Sequence, residues 1–239
     1  MPSWLTSDLN FPPLEDALVE PNGLLAAGGD LSPERMIMAY RYGIFPWFNE
    51  NDPILWWSPD PRMVLFPNEF KISRSLNKIL KRRNYEIRVD SAFKDVIHFC
   101  AGPRKKQEGT WIHSDMITAY ITLHEMGLAH SVETWIDGKL VGGLYGISQG
   151  TIFFGESMFS HIDNASKIAF FYLVKQLQHW GYNMIDCQIK TSHLASFGAR
   201  EIPRKEFSRI LKEAEKHPNH IGKWSFDKDN RKKLTKNIE

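Results

Sequence analysis

The chain has 239 residues, 42% of them hydrophobic and 24% charged, with a formal net charge of +2. That length buries a real core as one large domain or two small ones, and the balance excludes a disordered or acidic-tail protein. Its longest apolar runs, such as 168–174, fall far below the roughly 18 residues a membrane helix takes. The first basic residue is Arg35, so no secretory signal is expected. Two cysteines, Cys100 and Cys187, make neither a disulfide framework nor a metal cluster. A cytoplasmic globular protein is expected, and with so small a total charge any polynucleotide must be met by local patches.

Ten of the 13 prolines precede residue 68, together with Trp4, Trp47, Trp56 and Trp57. Proline removes a donor and fixes φ, so this stretch reads as turns and short elements, with one helix over 33–41. Ser32 caps that helix and Pro33 takes its first position. Strands are expected at 63–66 and 69–72, then a helix from the Ser73 cap to about Arg83. A strand over 85–90 and a helix from Ser91 through Phe99 follow. The polar stretch 102–110 is a loop, and Ser114 is expected to cap a helix that Gly127 closes.

Three antiparallel strands come next, over 129–136, 139–147 and 151–158, separated by Asp137-Gly138 and Ser148-Gln149-Gly150 turns. A helix over 164–180, a strand over 183–189, a short helix near Leu194 and a helix from Pro203 complete the pattern. The order predicts an α+β chain. An irregular Pro/Trp-rich amino-terminal domain over 1–62, its boundary falling between 62 and 90, precedes a mixed sheet flanked by helices over 63–239.

Three motifs yield to ordinary readings. Gly146-Ile-Ser-Gln-Gly150 fits a serine-hydrolase elbow, but a strand follows where that elbow needs a helix. No two histidines share a helix turn with a Glu, so metal is not expected. His217 and His220 fall in a charged tail and read as solvated. Cys187 points away from Asp186 and Gln188 on a strand of period two and reads as a small buried hydrophobe.

Asp186 and Gln188 share a strand face, and a carboxylate on a largely apolar strand needs partners. Glu156 follows the apolar run 152–154, beside a glycine that permits a bulge. Residues 71–88 hold seven basic residues against the single Glu86. Arg74, Lys78, Lys81 and Arg82 lie on the polar side of the predicted helix, with Arg83 after them. Such a run is a solvated face or a phosphate-binding patch, to which Arg104-Lys-Lys106 adds.

Several long strings resemble the bacterial leucyl/phenylalanyl-tRNA–protein transferases. They include Tyr42-Gly-Ile-Phe-Pro-Trp-Phe48, Pro53-Ile-Leu-Trp-Trp-Ser-Pro-Asp-Pro-Arg62, Gly155-Glu-Ser-Met-Phe-Ser160 and Ile185-Asp-Cys-Gln188. The likeness runs over about 11–210 and excludes the lysine-rich tail after Gly222. It implies a small amino-terminal α/β domain and a carboxy-terminal domain similar to GNAT-type acetyltransferases. The implied reaction transfers Leu or Phe, less readily Met, from aminoacyl-tRNA to proteins with amino-terminal Arg or Lys, for N-end degradation. No metal or soluble cofactor and no membrane are implied, and a monomer is expected.

By the same likeness Asp186 orients and helps deprotonate the amine, Gln188 positions it, and Glu156 holds the cationic acceptor end. The aminoacyl pocket is lined by Phe153, Met158 and Ile185, with Leu144, Leu173 and Leu177. Strict alternation separates Phe153 from Met158, so both can line it only if the strand bulges near Gly155. Trp47 and Trp111 would stack the terminal adenosine, with Tyr40 and Tyr120 near them, while Arg74, Lys78, Lys81, Arg82 and Arg83 meet phosphates. Thr191 falls outside that site. The alternative is another acyltransferase of similar fold, such as a peptidoglycan-type aminoacyl-tRNA transferase or a user of acyl-CoA. A tRNA-end-binding module without catalysis is the third reading.

Overall fold

The computed structural model describes residues 1–102 and 110–226; the basic run 104–106 and the chain beyond 226 lie outside them. The proline-rich start forms β1 (Ser3–Leu5), β2 (Leu24–Gly28), α1 (Pro33–Arg41), β3 (Phe45–Pro46) and β4 (Leu55–Trp57), in a small sheet of order β1-β2-β4-β3. Short strands are what this proline density permits. Ser32 caps α1 at the Arg35 N–H (3.4 Å).

The rest builds one large sheet. In chain order it supplies β5 (Arg62–Leu65), α2 (Arg74–Arg82), β6 (Glu86–Val89), α3 (Phe93–Ala101), α4 (Ser114–Glu125), β7 (Ala129–Ile136), β8 (Lys139–Gln149) and β9 (Ile152–Ser160). Then come α5 (Ala165–His179), β10 (Met184–Gln188), α6 (Ser192–Ala195), β11 (Arg200–Ile202) and α7 (Arg204–Ala214). The seven strands run in the order β11-β5-β10-β9-β8-β7-β6, and β9 with β10 is the parallel pair. This is the mixed sheet flanked by helices that the sequence predicts. One apolar cluster joins the small amino-terminal sheet and helices α1, α3, α4 and α7; the other joins α2, α5 and residues 224 and 226. The sheet is therefore covered on both faces.

Four local expectations change. No strand forms over 69–72, because Pro67 opens a 3-10 turn to Glu69: the Glu69 and Phe70 N–H groups bond back to the Phe66 and Pro67 carbonyls, and the Lys71 N–H to that of Phe197. Ser91 does not cap α3 with its side chain. The buried Glu133 does so from β7, accepting the Ser91 and Ala92 N–H groups at 3.0 Å each. At α4 the cap residue is His113, and Ser114 is already helical. His217 and His220 are exposed as expected, but the charged tail is docked: His220 touches Trp180 at 4.4 Å, and Trp224 and Phe226 after it are buried in the second cluster. Among the described residues no helix is long and apolar enough to cross a membrane.

Candidate active site

The site begins with two register faults in neighbouring strands. Tyr145 pairs with Ser157 but Gly146 pairs with Gly155, so Glu156 is the extra residue of a β-bulge in β9. In β10, Asp186 pairs with Val64 and Gln188 with Met63, which leaves Cys187 extra and Gln188 at φ 60°. The parallel pairing of β9 with β10 ends at Phe154 and Asp186. Beyond that point the two bulged strands part, and backbone pairing gives way to side chains.

A cavity of about 500 Å³ occupies the opening. The bulge at Glu156 reverses the alternation, so Phe153 and Met158 both line it, with Leu144, Leu173 and Ile185. Leu177 does not: it is fully buried in the second cluster, away from the lining. Tyr145, Phe170, Leu194, His193 and Thr191 line the cavity as well; Thr191 therefore belongs to the lining from which sequence comparison had left it out. Trp47 and Trp111 stand in the wall, Trp47 at 41% exposure. Tyr40 and Tyr120 are fully buried, so neither ring offers a face on which a base can stack.

Those two tyrosines instead hold Glu156. The Tyr40 hydroxyl donates to its Oε1 at 2.8 Å and the Tyr120 hydroxyl to its Oε2 at 2.7 Å. Gln188 Nε2 donates to Oε1 at 2.9 Å. The two phenolic oxygens are themselves 2.7 Å apart. Burial pushes the Glu156 carboxyl up to about 7, against the hydrogen bonds from Tyr120, Tyr40 and Gln188 that favour its charged form. Burial, and then the Glu156 charge, lift both phenols well above their ordinary range.

Asp186 sits in the opposite environment. Arg62 donates Nε to Oδ1 at 2.8 Å and Nη2 to Oδ2 at 2.7 Å, both side chains being buried. The Gln188 N–H adds a third bond to Oδ1 at 2.9 Å. The guanidinium is sandwiched by Phe45 (4.8 Å) and Phe207 (4.7 Å), so it is also held by cation–π attraction. Asp186 is thus a paired, fully covered ion that fixes the turn carrying Gln188. Its partner is an Arg that the sequence reading left outside the site. The signal was there, in a charged residue entering the apolar strand 63–65 while another charge on an apolar strand lacked a partner.

Two discarded motifs stay discarded. The Ser148 hydroxyl is buried against the Tyr182 hydroxyl at 2.6 Å, and burial raises the Cys187 thiol pKa, with the Asp186 charge adding to it. Among the described residues no cluster of three or more His, Cys, Asp or Glu side chains could hold a metal ion. Arg74, Lys78, Lys81, Arg82 and Arg83 all lie on the exposed side of α2 or at its end.

An apolar cavity ending at a half-buried carboxyl and a carboxamide suits a transferase that seats an apolar acyl group and presents an amine to it. Known proteins narrow the class. The profile described as "Leucyl/phenylalanyl-tRNA protein transferase" matches residues 64–212, and the one for its N-terminal domain matches 29–60. A leucyl/phenylalanyl-tRNA–protein transferase of Nitrosospira multiformis is 66% identical over 224 residues, 94% of this chain and 97% of the relative. One of Stutzerimonas stutzeri is 59% identical over 212 residues, 88% and 94%. The chain belongs to this family and is an aminoacyltransferase acting with aminoacyl-tRNA. Among solved structures, L-PGS from Bacillus licheniformis aligns at TM-score 0.38 and 14% identity, over 90% of this chain and 72% of that one.

Proposed function

We propose that the protein takes Leu or Phe, and less readily Met, from aminoacyl-tRNA and joins it to the α-amine of proteins with amino-terminal Arg or Lys. The product would then enter the N-end degradation route. The observation that carries this reading is the bulge at Glu156. One strand supplies both the apolar wall for the amino-acid side chain and the carboxyl that meets the amine. Apolar pockets separate one methylene by only about 1–3 kcal/mol, so Leu, Phe and Met share this one.

The ester is already activated, so positioning and proton handling are the tasks left. An α-ammonium has an ordinary pKa near 7.7–8.0, and the Glu156 carboxyl at about 7 is a close match. The ammonium gives its first proton to water; ionised Glu156 then holds the neutral amine and takes a second proton as the nitrogen attacks. With Nε2 committed to Glu156, the Gln188 Oε1 accepts the remaining N–H and aims the lone pair at the carbonyl. The N–C bond forms, the ester C–O bond breaks, and the ribose oxygen leaves with the proton returned through Glu156. Asp186, covered by Arg62, positions Gln188 and takes no proton. Trp47 and Trp111 receive the terminal adenosine, and Arg74, Lys78, Lys81, Arg82 and Arg83 meet backbone phosphates. The division at residues 1–62 and 63–239, monomeric action and a cytoplasmic setting belong to the same reading.

Labelled Phe-tRNA or Leu-tRNA supplied with a peptide starting with Arg tests it. The peptide should gain one residue. No extension by folded protein overturns the reading, and extension of a muropeptide in its place selects the alternative acyltransferase.

A further inference from the structure

After α7 the chain turns back over the sheet and is tied down in series. Gly150 N–H donates to Asn219 Oδ1 (2.5 Å), Gly222 N–H to the Gly127 carbonyl (3.0 Å), and Trp224 N–H to Asp90 Oδ2 (2.8 Å). The Trp224 ring is 3% exposed. It stacks flat on His130, with centroids 3.8 Å apart and planes at 8°. His130 is in turn held by Asp90 through Nδ1 at 2.9 Å. The Trp224 ring also lies against Phe153, tilted, with centroids 5.9 Å apart.

Phe153 lines the aminoacyl cavity and has no room on its other side. A Cβ on Gly146 would lie 2.6 Å from the Phe153 ring, so the ring already fills the space above β8. The ring is thus bounded by β8 and by Trp224 and faces the cavity, and clearing the Trp224 side gives it a place to withdraw from that cavity.

We propose that Trp224 is a specificity-determining positioning residue. The segment 219–226 would set where the Phe153 ring stands, and so how deep the aminoacyl cavity is. This rests on the transfer reading above. A strap anchored by hydrogen bonds at three points, one between backbones and two between backbone and side chain, with Trp224 stacked on a fixed His130, is a rigid stop. The residues that tune the cavity thus extend beyond those that line it.

The test is the ratio of kcat/KM for Phe-tRNA to that for Leu-tRNA, with both substrates competing in one tube. A change in folded fraction scales both rates alike and leaves the ratio unmoved. Trp224→Leu frees space behind Phe153, deepens the cavity and should raise the ratio about tenfold, within the range that one or two methylene-sized changes allow. Trp224→Phe keeps an aromatic stop and the three anchoring N–H bonds, gives up only the Trp224 Nε1 bond to the His220 carbonyl (3.1 Å), and should shift the ratio two- to threefold in the same direction. An unchanged ratio in both variants, with Leu and Phe transfer falling together, overturns the inference and leaves Trp224 a purely structural residue. Wild-type protein that transfers neither amino acid overturns the transfer reading itself, and the inference with it.

Discussion

Asp186, fully buried, and Glu156, half-buried at the cavity, are carboxyl groups beside β-bulges on adjacent strands, and each touches Gln188. Their surroundings differ in one respect. Asp186 has a full cation, Arg62, on both oxygens, whereas Glu156 has only neutral donors, two phenols and an amide. A cation within contact stabilises charge against desolvation, and neutral dipoles do so incompletely. One carboxylate is thereby the anchored half of a buried ion pair. The other is left near the point where it exchanges a proton at neutral pH. The two roles come from partners rather than from residue type.

Removing the cation should break the contrast most severely. Arg62→Ala leaves Asp186 buried without its counter-ion and should cost about 3–5 kcal/mol of stability, read from urea unfolding. Arg62→Lys keeps the charge but loses the two-pronged geometry and should recover part of it. Equal stability of Arg62→Ala and wild type would remove the ion pair from the account.

Glu156→Gln addresses the other half. Transfer should fall about 10²–10⁴-fold, the usual worth of a positioned proton acceptor. The rise of kcat/KM through about pH 7 should vanish, leaving the limb of the acceptor amine. Stability carries a second signature. Glu156 is raised from 4.5 to about 7 in the fold, so its contribution is whole below about pH 4.5 and is lost as pH rises through 7. That slope should be absent in Glu156→Gln, by urea melts across the same range.

Tyr120→Phe sharpens the comparison with a smaller effect. The Tyr120 hydrogen bond pulls the Glu156 pKa down, so its loss should move the activity limb alkaline and lower the rate at neutral pH several-fold. A limb that stays in place would mean that the triangle of oxygens does not set the proton. Smallest of all, Lys78→Glu with Arg82→Glu should weaken tRNA binding only a few-fold, and flatten its salt dependence, with the chemistry unchanged.

Local signals in the sequence are faithful here wherever one residue acts on its own neighbours. Ser32 and Ser73 cap their helices, Gly127 ends α4 at φ 74°, and the Asp137-Gly138 turn joins β7 to β8. Alternation, taken with the pocket lining that the resemblance implies, required a bulge near Gly155, and one occurs at Glu156. What sequence did not show is long-range pairing. Glu133 capping α3 from β7, Arg62 reaching Asp186 across β5 and β10, and Tyr40 and Tyr120 converging on Glu156 all join residues far apart in the chain. Hydrophobic period tells which face is buried, not which distant charge will neutralise it. The tyrosines were singled out as ring faces, and only burial reveals that their hydroxyls are the working ends.

The most direct measurement is the titration of the Glu156 side chain itself. Protein with carbon-13 in the Glu carboxyl groups, with the Glu156 signal assigned by its absence from Glu156→Gln, can be followed across pH by NMR. The account predicts a midpoint at about 7, moving higher in Tyr120→Phe. A Glu156 midpoint at the ordinary 4.5, unmoved by loss of the phenol, would contradict it.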